Sequence, residues 1–468
     1  MTPTVRSPAG PPPVSRICQS WGGVLRAPHD VLVPSDREAG RRLVAQLPAG
    51  RTIPHGCGRS YGDVALNPGL GLIDTRRLDR FIRFDAHSGL LTCEAGVTLA
   101  EILAVIARPD ANGSGWMLPV VPGTRFVSVG GAIANDIHGK NAHLLGSFGC
   151  HVEQLELARS DGHTLVCSRT ENADLFAATI GGLGLTGLIL SATLRLRRVP
   201  GLALESEEVR FGALDAFFAL DAESAEAWEY TAAWIDCLAT GASLGRGIYL
   251  RARHSPGFGA EPPARAPKLQ VPFAPPLSLV NGLSVRAFNA LYWRKLGSPG
   301  RASGIGPYEK TFFPLDAIGG WNKLYGPDGF YQFQAVVPPE DAHRVTADML
   351  GAIARSGQGS MLVVLKRFSA VRSPGLISFP MPGTSLALDF PNRGAATLGL
   401  LQRLEAIVGA AGGRIYPAKD FAMSAESFAK GYPGLPQFRT FIDPAMSSAF
   451  SRRMGLHSSG VRAPESTP

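Results

Sequence analysis

Apolar and polar positions change period several times along the first two hundred residues. The runs GLIDT, FIRFD and LLTCEAG, between Gly71 and Gly96, alternate with period two and have the length of strands. VEQLELARSDGHTLVCS, residues 152–168, holds two such runs joined around Asp161-Gly162, the pattern of a β-hairpin. Helical spacing interrupts them. Ser35-Asp-Arg-Glu38 reads as a capping box opening a helix that stops near Pro48 and Gly50, and Thr98-Leu-Ala-Glu101 opens another, LAEILAVIA. Further on, TLGLLQRLEAIVGAA is a helix ended by Gly412-Gly413, with the strand-like RIYPAKD after it. The pattern predicts an α+β fold with hairpins, not a regular βαβ alternation.

That prediction decides how GLGLTG, Gly182 to Gly187, is read. It matches the dinucleotide fingerprint G-x-G-x-x-G, but the fingerprint needs a strand before it and a helix N-terminus after it. Here a helix-like ADLFAATIG precedes and an alternating LILSATLRLRRV follows, so a Rossmann nicotinamide site is excluded. Glycine-rich backbone binds phosphate in other folds too, because successive N–H groups in a turn form an anion nest. GCGRSYGD (Gly56 to Asp63) and PGTRFVSVGGAIANDIHGKN (Pro122 to Asn141) are two further glycine-dense stretches. Each alone could be a tight turn; three separated clusters point to one long, phosphate-bearing cofactor.

Composition narrows the class. With 468 residues, 45% hydrophobic and 18% charged, the chain can bury a large core and suits two or three domains. Residues 1–17, rich in Pro, Ser and Gly, are expected to be a disordered tail rather than a signal peptide. No segment approaches the roughly 18 apolar residues of a membrane span. The six cysteines show no CxxC spacing, which fits reduced thiols in a cytosolic protein and no metal site. Lys plus Arg exceeds Asp plus Glu by 8, which suits an anionic ligand or an anionic membrane surface, or reflects an arginine-rich proteome. Nucleic acid is disfavoured, since the basic residues are dispersed and no recognition motif is present.

HGCGRSYGD, PGTRFVSVGGAIANDIHGKN, GGLGLTGLI and RIYPAKD together resemble the FAD-binding domain of the vanillyl-alcohol-oxidase (PCMH) type. More specifically, they resemble the decaprenylphosphoryl-β-D-ribose 2-oxidase family of cell-envelope arabinose synthesis. The likeness covers roughly residues 18–462, including WNKLYGPDGFYQFQAVVP and SFPMPG. It implies an FAD domain in two parts, 18–199 and 412–462. Between them a substrate domain, 200–411, would lay an antiparallel sheet flanked by helices over the flavin.

The resemblance places the FAD pyrophosphate on the first loop. It assigns the cofactor shell to Pro54, His55, Gly56, Cys57, Gly58, Arg59, Ser60, Tyr61, Gly62, Asp63 and Val64, then Gly123, Ser128, Val129, Gly130, Gly131, Asn135, Asp136, Ile137, His138, Ile189 and Tyr416. Many relatives in the wider superfamily tether the flavin through a histidine where this chain has Arg59. A guanidinium cannot act as that nucleophile, so non-covalent FAD is implied.

Oxidising a sugar alcohol needs a base for the hydroxyl proton and flavin N5 for the hydride. The family's base falls on Lys419 in RIYPAKD, and substrate contacts fall on His138, Lys140, Gln332, Gln334, Lys366 and Ser385. Gln332 and Gln334, two apart in YQFQ, share one strand face. A lysine base near neutrality requires a pKa lowered by roughly three units, which burial can supply.

The implied reaction is oxidation of the 2-hydroxyl of a polyprenyl-phosphoryl-β-D-ribofuranose to the 2-keto sugar, with a separate short-chain reductase completing epimerisation to arabinose. The implied location is cytoplasmic, with peripheral contact at the inner membrane. Two other readings share the fold: a soluble alditol or aldonolactone oxidase, and a flavin-binding partner without turnover, against which Lys419 argues. The pocket wall departs from close relatives. Ser385-Leu386-Ala387 stands before LDFP where Asn-x-Cys is common, and FFPLD (Phe312 to Asp316) lacks the usual Tyr-His pair.

Residues 254–305 turn to Pro, Gly, Arg and Lys around apolar residues, the composition of a mobile insertion over the substrate mouth. Within it Val285, Phe288, Tyr292 and Leu296 fall on one helical face, with Arg286 and Arg294 off it. That face suits either a lipid surface or ordinary packing.

Overall fold

The computed structural model describes residues 13–257 and 269–457. Its fold is the mixed α+β one that the periodicity predicts, carried by three main sheets. In the first, Val14–Gln19, Arg26–Leu32, Gly71–Asp74 and Thr52–His55 lie side by side in that order, the last three mutually parallel. The second is wholly antiparallel: Phe81–Asp85, Leu90–Glu94, Leu188–Arg195, Val152–Ala158 and Thr164–Ser168. FIRFD, LLTCE and the hairpin around Asp161-Gly162 are thus strands of one sheet. GLGLTG sits between helix Ala173–Thr179 and strand Leu188–Arg195, as its flanks required.

The third sheet has eight antiparallel strands. Its order is Arg301–Pro307, Ala203–Phe211, Gly247–His254, Tyr230–Ile235, Val363–Phe368, Gly383–Pro391, Phe330–Val337 and Arg414–Ile415. Helices Ala342–Ser356 and Ala395–Ala410 turn buried Val345, Met349, Ile353 and Leu400, Leu404, Val408 into one core with the sheet's Phe333, Leu365, Leu386 and Leu388. Gly412, at φ +68°, ends the second of these helices where the sequence placed its stop.

The chain then crosses over. Arg414–Ile415 still pairs with Val336 and Ala335, but the Tyr416 hydroxyl donates to Asn135 O at 2.7 Å. Beyond it, Gly50 N donates to Pro444 O and Ser447 N to Thr52 O, which fastens the C-terminal segment to the first sheet.

Three local expectations are corrected. Val14–Gln19 begins inside the stretch read as a tail, residues 1–17, but pairs with Arg26–Leu32 along its length; main-chain hydrogen bonds supply what its side chains lack. The rest of that tail, residues 1–12, lies outside the described residues. The helix near Ser35 spans Arg37–Val44 and is capped by Asp36, whose Oδ1 accepts from Ala39 N at 2.8 Å; Ser35 only donates its hydroxyl to Asp36. The box at Thr98 and Glu101 forms as read.

The third correction concerns residues 254–305. Arg301–Pro307 is the edge strand of the large sheet, and helix Gly282–Arg294 packs on that sheet through the very face that could have met lipid. Val285 is fully buried, Tyr292 meets Trp234 with ring centroids 4.7 Å apart, and Phe288 stacks on Tyr292. Trp293 donates its indole N–H to Phe211 O. Residues 258–268 of this stretch lie outside the described residues.

Candidate active site

A cavity of about 910 Å³ lies between the two glycine-rich loops and the eight-stranded sheet. From the first loop Pro54, Gly56, Cys57, Gly58, Arg59, Ser60, Tyr61 and Val64 line it. The second brings Gly123, Ser128, Gly130, Gly131, Asn135, Ile137 and His138, and Ile189 and Tyr416 complete that side. Ser128 caps the short helix Val129–Ala134, accepting from Gly131 N at 3.3 Å. A Cβ on Gly56 would run into the Ser128 hydroxyl, so only glycine lets the loops touch here.

Six residues assigned to the site stand outside this lining. His55 turns to the opposite side of its loop, with Nδ1 2.8 Å from Ala65 O. Gly62 gives the room that the Asp420 carbonyl occupies, and Asp63 is ion-paired with Arg453. Val129 is core. Asp136, at φ +41°, accepts from Gly149 N at 2.8 Å and from the Ser373 hydroxyl at 2.5 Å. Ser385 lies behind Gln334, accepting from its amide at 3.3 Å.

The sheet supplies the facing wall. In the pairing of Phe330–Val337 with Gly383–Pro391, Gln332 stands opposite Asp389 and Gln334 opposite Ala387, so all four side chains share one face. Gln332 Nε2 donates to Asp389 Oδ1 at 2.6 Å. Gln334 Nε2 lies 2.8 Å from His138 Nε2, which must therefore accept. That geometry requires a neutral imidazole with its proton on Nδ1. Burial, then the nearby Lys366 and Lys419, push His138 well below its ordinary pKa and keep it so.

Three lysines converge on the same space. Lys140 follows the second loop and is lowered to about 8 by burial. Lys366, on strand Val363–Phe368, donates to Gly139 O at 3.2 Å; burial, then repulsion from Lys140 and Lys419, lowers it to about 7. Lys419 closes the one-turn helix Pro417–Lys419, its Nζ 3.9 Å from the centre of the Tyr61 ring. Burial lowers Lys419 and the charge of Asp389 opposes that; burial raises Asp389, against Gln332 and Lys419.

Four polar atoms of the lining are buried without a hydrogen-bond partner: Arg59 Nε, Asn135 Oδ1, His138 Nδ1 and Gln332 Oε1. Buried polar groups are overwhelmingly paired in folded proteins, so their gathering around one cavity fits a large polar molecule that supplies the partners. The apolar stretch from Val121 and Phe126 to Leu183 and Ile189 would receive its flat parts. The donor set fits a dinucleotide cofactor.

Comparison with known proteins agrees. Residues 28–168 match the model of an FAD binding domain. The chain is 35% identical to the decaprenylphosphoryl-β-D-ribose oxidase of Mycolicibacterium smegmatis over 95% of its own length and 98% of that relative. The chain belongs to the decaprenylphosphoryl-β-D-ribose oxidase family. Its cofactor is FAD. An uncharacterized protein of Streptomyces coelicolor is also 35% identical, over 73% of this chain and 96% of its own. L-Gulonolactone oxidase of Mus musculus shares 31% identity over only 30% of each chain, a likeness confined to part of the molecule.

Within this family frame, Asp389 and Trp21 are among the cavity residues missed from sequence. Asp389 carried a signal: in SLALDFP it is a charged residue on the alternate positions that also hold Ser385 and Ala387. Trp21 carried none. Its ring lies under the Arg59 guanidinium at 4.0 Å, a contact that only the tertiary fold creates.

Proposed function

We propose that this protein is an FAD-dependent oxidoreductase that oxidises the 2-hydroxyl of a polyprenyl-phosphoryl-β-D-ribofuranose to the 2-keto sugar. The observation that carries the reading is the convergence of Lys140, Lys366 and Lys419 with the buried carboxylate of Asp389 on the cavity wall. Even with Lys419 as a free amine, the ammonium forms of Lys140 and Lys366 repel each other in this buried space, and a phosphodiester of the substrate would compensate that positive excess. A neutral alditol or lactone leaves that excess uncompensated, which disfavours the soluble-oxidase alternative. At about 910 Å³ the cavity is near the top of the ~300–1,000 Å³ of ligand pockets, enough for more than one small sugar.

When bound, FAD supplies the acceptor for the hydride leaving the alcohol carbon. The first loop and the Ser128–Gly131 turn would hold its pyrophosphate through backbone N–H groups, with residues 18–199 and the segment returning from residue 412 as its domain. Arg59, kept on Trp21 and offering no nucleophile, would hold the flavin by contact alone, without a covalent bond. Lys419 takes the hydroxyl proton at Nζ. Its burial makes the amine available near neutral pH. Gln332, Gln334 and His138 orient the ribose hydroxyls, His138 through its Nδ1–H, while Lys140 and Lys366 meet the phosphate.

A separate short-chain reductase would complete the epimerisation. No helix among the described residues is long and apolar enough to cross a membrane. We infer that the protein meets its lipid-borne substrate at the bilayer surface through Leu277, Leu283 and Leu291, each more than 70% exposed beside Arg286 and Arg294. Anaerobic flavin bleaching tests the main reading. Polyprenyl-phosphoryl-ribose should bleach the flavin while free ribose and xylitol leave it yellow; bleaching by xylitol alone would favour the soluble oxidase.

A further inference from the structure

Asp389 is 1% exposed, yet its carboxylate hydrogen bond is to a neutral amide, Gln332 Nε2 at 2.6 Å. The other carboxylates of the cavity wall are engaged differently. Glu208 is paired with Lys295 at 2.9 Å, and Asp316 accepts from the Arg125 amide at 2.9 Å. Asp389 is held instead by a side-chain amide; burial raises its carboxyl, and the Gln332 amide and the Lys419 charge act against that rise. Its strand sets it opposite Gln332, and Gln332 and Lys419 face the same space beside Tyr61. The charged and titratable groups that share this end with Lys419 are Lys140, Lys366, His138, Tyr61 and Asp389. Among them Asp389 supplies the carboxylate that favours an ammonium; the Tyr61 ring face, 3.9 Å from Nζ, adds a weaker cation–π attraction.

We propose that Asp389 is the positioning residue of the lysine base: its carboxylate, pinned by Gln332, is the counter-charge for the ammonium that Lys419 becomes on taking the substrate's proton. This rests on the reading of Lys419 as the base. Without Asp389 that ammonium would form beside Lys366 and Lys140 in a buried site, and like charges there disfavour it. Gln332 has a second task. Its amide donor favours the ionised form of the acid and aims it, while its Oε1 has no protein partner and remains for the substrate.

The FAD-loaded protein is labelled with an amine-acylating reagent across a pH series, and the extent at Lys419 is read by peptide mass spectrometry. In Asp389→Asn the carbonyl still accepts from Gln332, but the charge is gone. The Lys419 midpoint should fall by about one pH unit, and the acid limb of flavin bleaching by substrate should fall with it. Asp389→Glu should hold the midpoint near that of the parent. Gln332→Met, which removes the donor to Asp389 along with Oε1 and lets the acid protonate more readily, should move the labelling midpoint the same way by less, and serves, read by labelling alone, where Asp389→Asn does not fold.

A slower Asp389→Asn with both midpoints unmoved would make Asp389 a packing residue and overturn the proposal. A labelling shift in an enzyme whose bleaching rate is indifferent to Lys419→Ala would sink the base assignment instead, leaving the charge coupling in place.

Discussion

Arg453 forks onto Asp63, with Nε to Oδ2 and Nη2 to Oδ1 both at 2.9 Å. The same Nη2 also reaches Asp420 Oδ2 at 2.9 Å. One guanidinium, 390 positions along the chain from Asp63, thus joins the last residue of GCGRSYGD to the residue after Lys419. The loop proposed to hold the cofactor and the turn that carries Lys419 are fixed to each other by it.

Arg453→Met should therefore damage both. It leaves two carboxylates, 5% and 6% exposed, without their cation, and breaking a buried pair from one side costs about 3 kcal/mol. Urea unfolding followed by tryptophan fluorescence should show that loss, and FAD should dissociate at lower urea than in the parent. Adding Asp63→Asn to the Arg453→Met variant should restore part of the stability; no recovery would mean that the fork is not what the variant lost.

The flavin should leave the denatured protein completely. Arg59 cannot attack the ring, and the neighbouring Cys57 is a poor candidate because burial pushes its thiol up and depletes the thiolate. Acid precipitation should give a colourless pellet and all of the FAD in the supernatant. Yellow peptide after proteolysis would show a covalent bond and locate it.

Lys419→Ala should keep FAD, because backbone N–H groups carry the pyrophosphate, and lose flavin bleaching by about two orders of magnitude or more. The pH dependence has a definite sign. The base works as a free amine, so the parent's rate should climb as pH rises through the lowered Lys419 pKa, whereas the alanine variant's residual rate should be flat there. A residual rate that still climbs over that range would assign the limb to another group.

How much of this site was legible follows from which residues act through backbone and which through tertiary contact. The glycine loops were legible because a nest is a local property of the chain, and Gln332 and Gln334 because period two fixes a strand face. Asp136 was misplaced for the opposite reason. It sits within a glycine-rich phosphate stretch, but its left-handed backbone turns the carboxylate away to Gly149 N and Ser373. Amphipathicity showed that Val285, Phe288 and Tyr292 form a stripe. What the stripe faces depends on Trp234, some fifty residues earlier, and no helical period encodes that.

That reversal changes the membrane prediction. Lys295 is engaged by Glu208 at 2.9 Å, and Phe288 and Trp293 are packed, so none of the three is offered to lipid. The outward residues of helix Gly282–Arg294 are Leu283, Leu291, Arg286 and Arg294, with Leu277 just before it. Each cation near anionic lipid contributes roughly 1 kcal/mol, and a few leucines add a comparable apolar contribution, so binding should be weak, reversible and salt-sensitive. Leu283→Ser with Leu291→Ser should cut sedimentation with anionic liposomes by several-fold while leaving the thermal midpoint and turnover of a short-chain soluble analogue unchanged. Phe288→Ser with Trp293→Ser should instead lower the thermal midpoint, because it opens the contact with the sheet. Equal sedimentation of the double-leucine variant and the parent would mean that this leucine face meets something other than lipid.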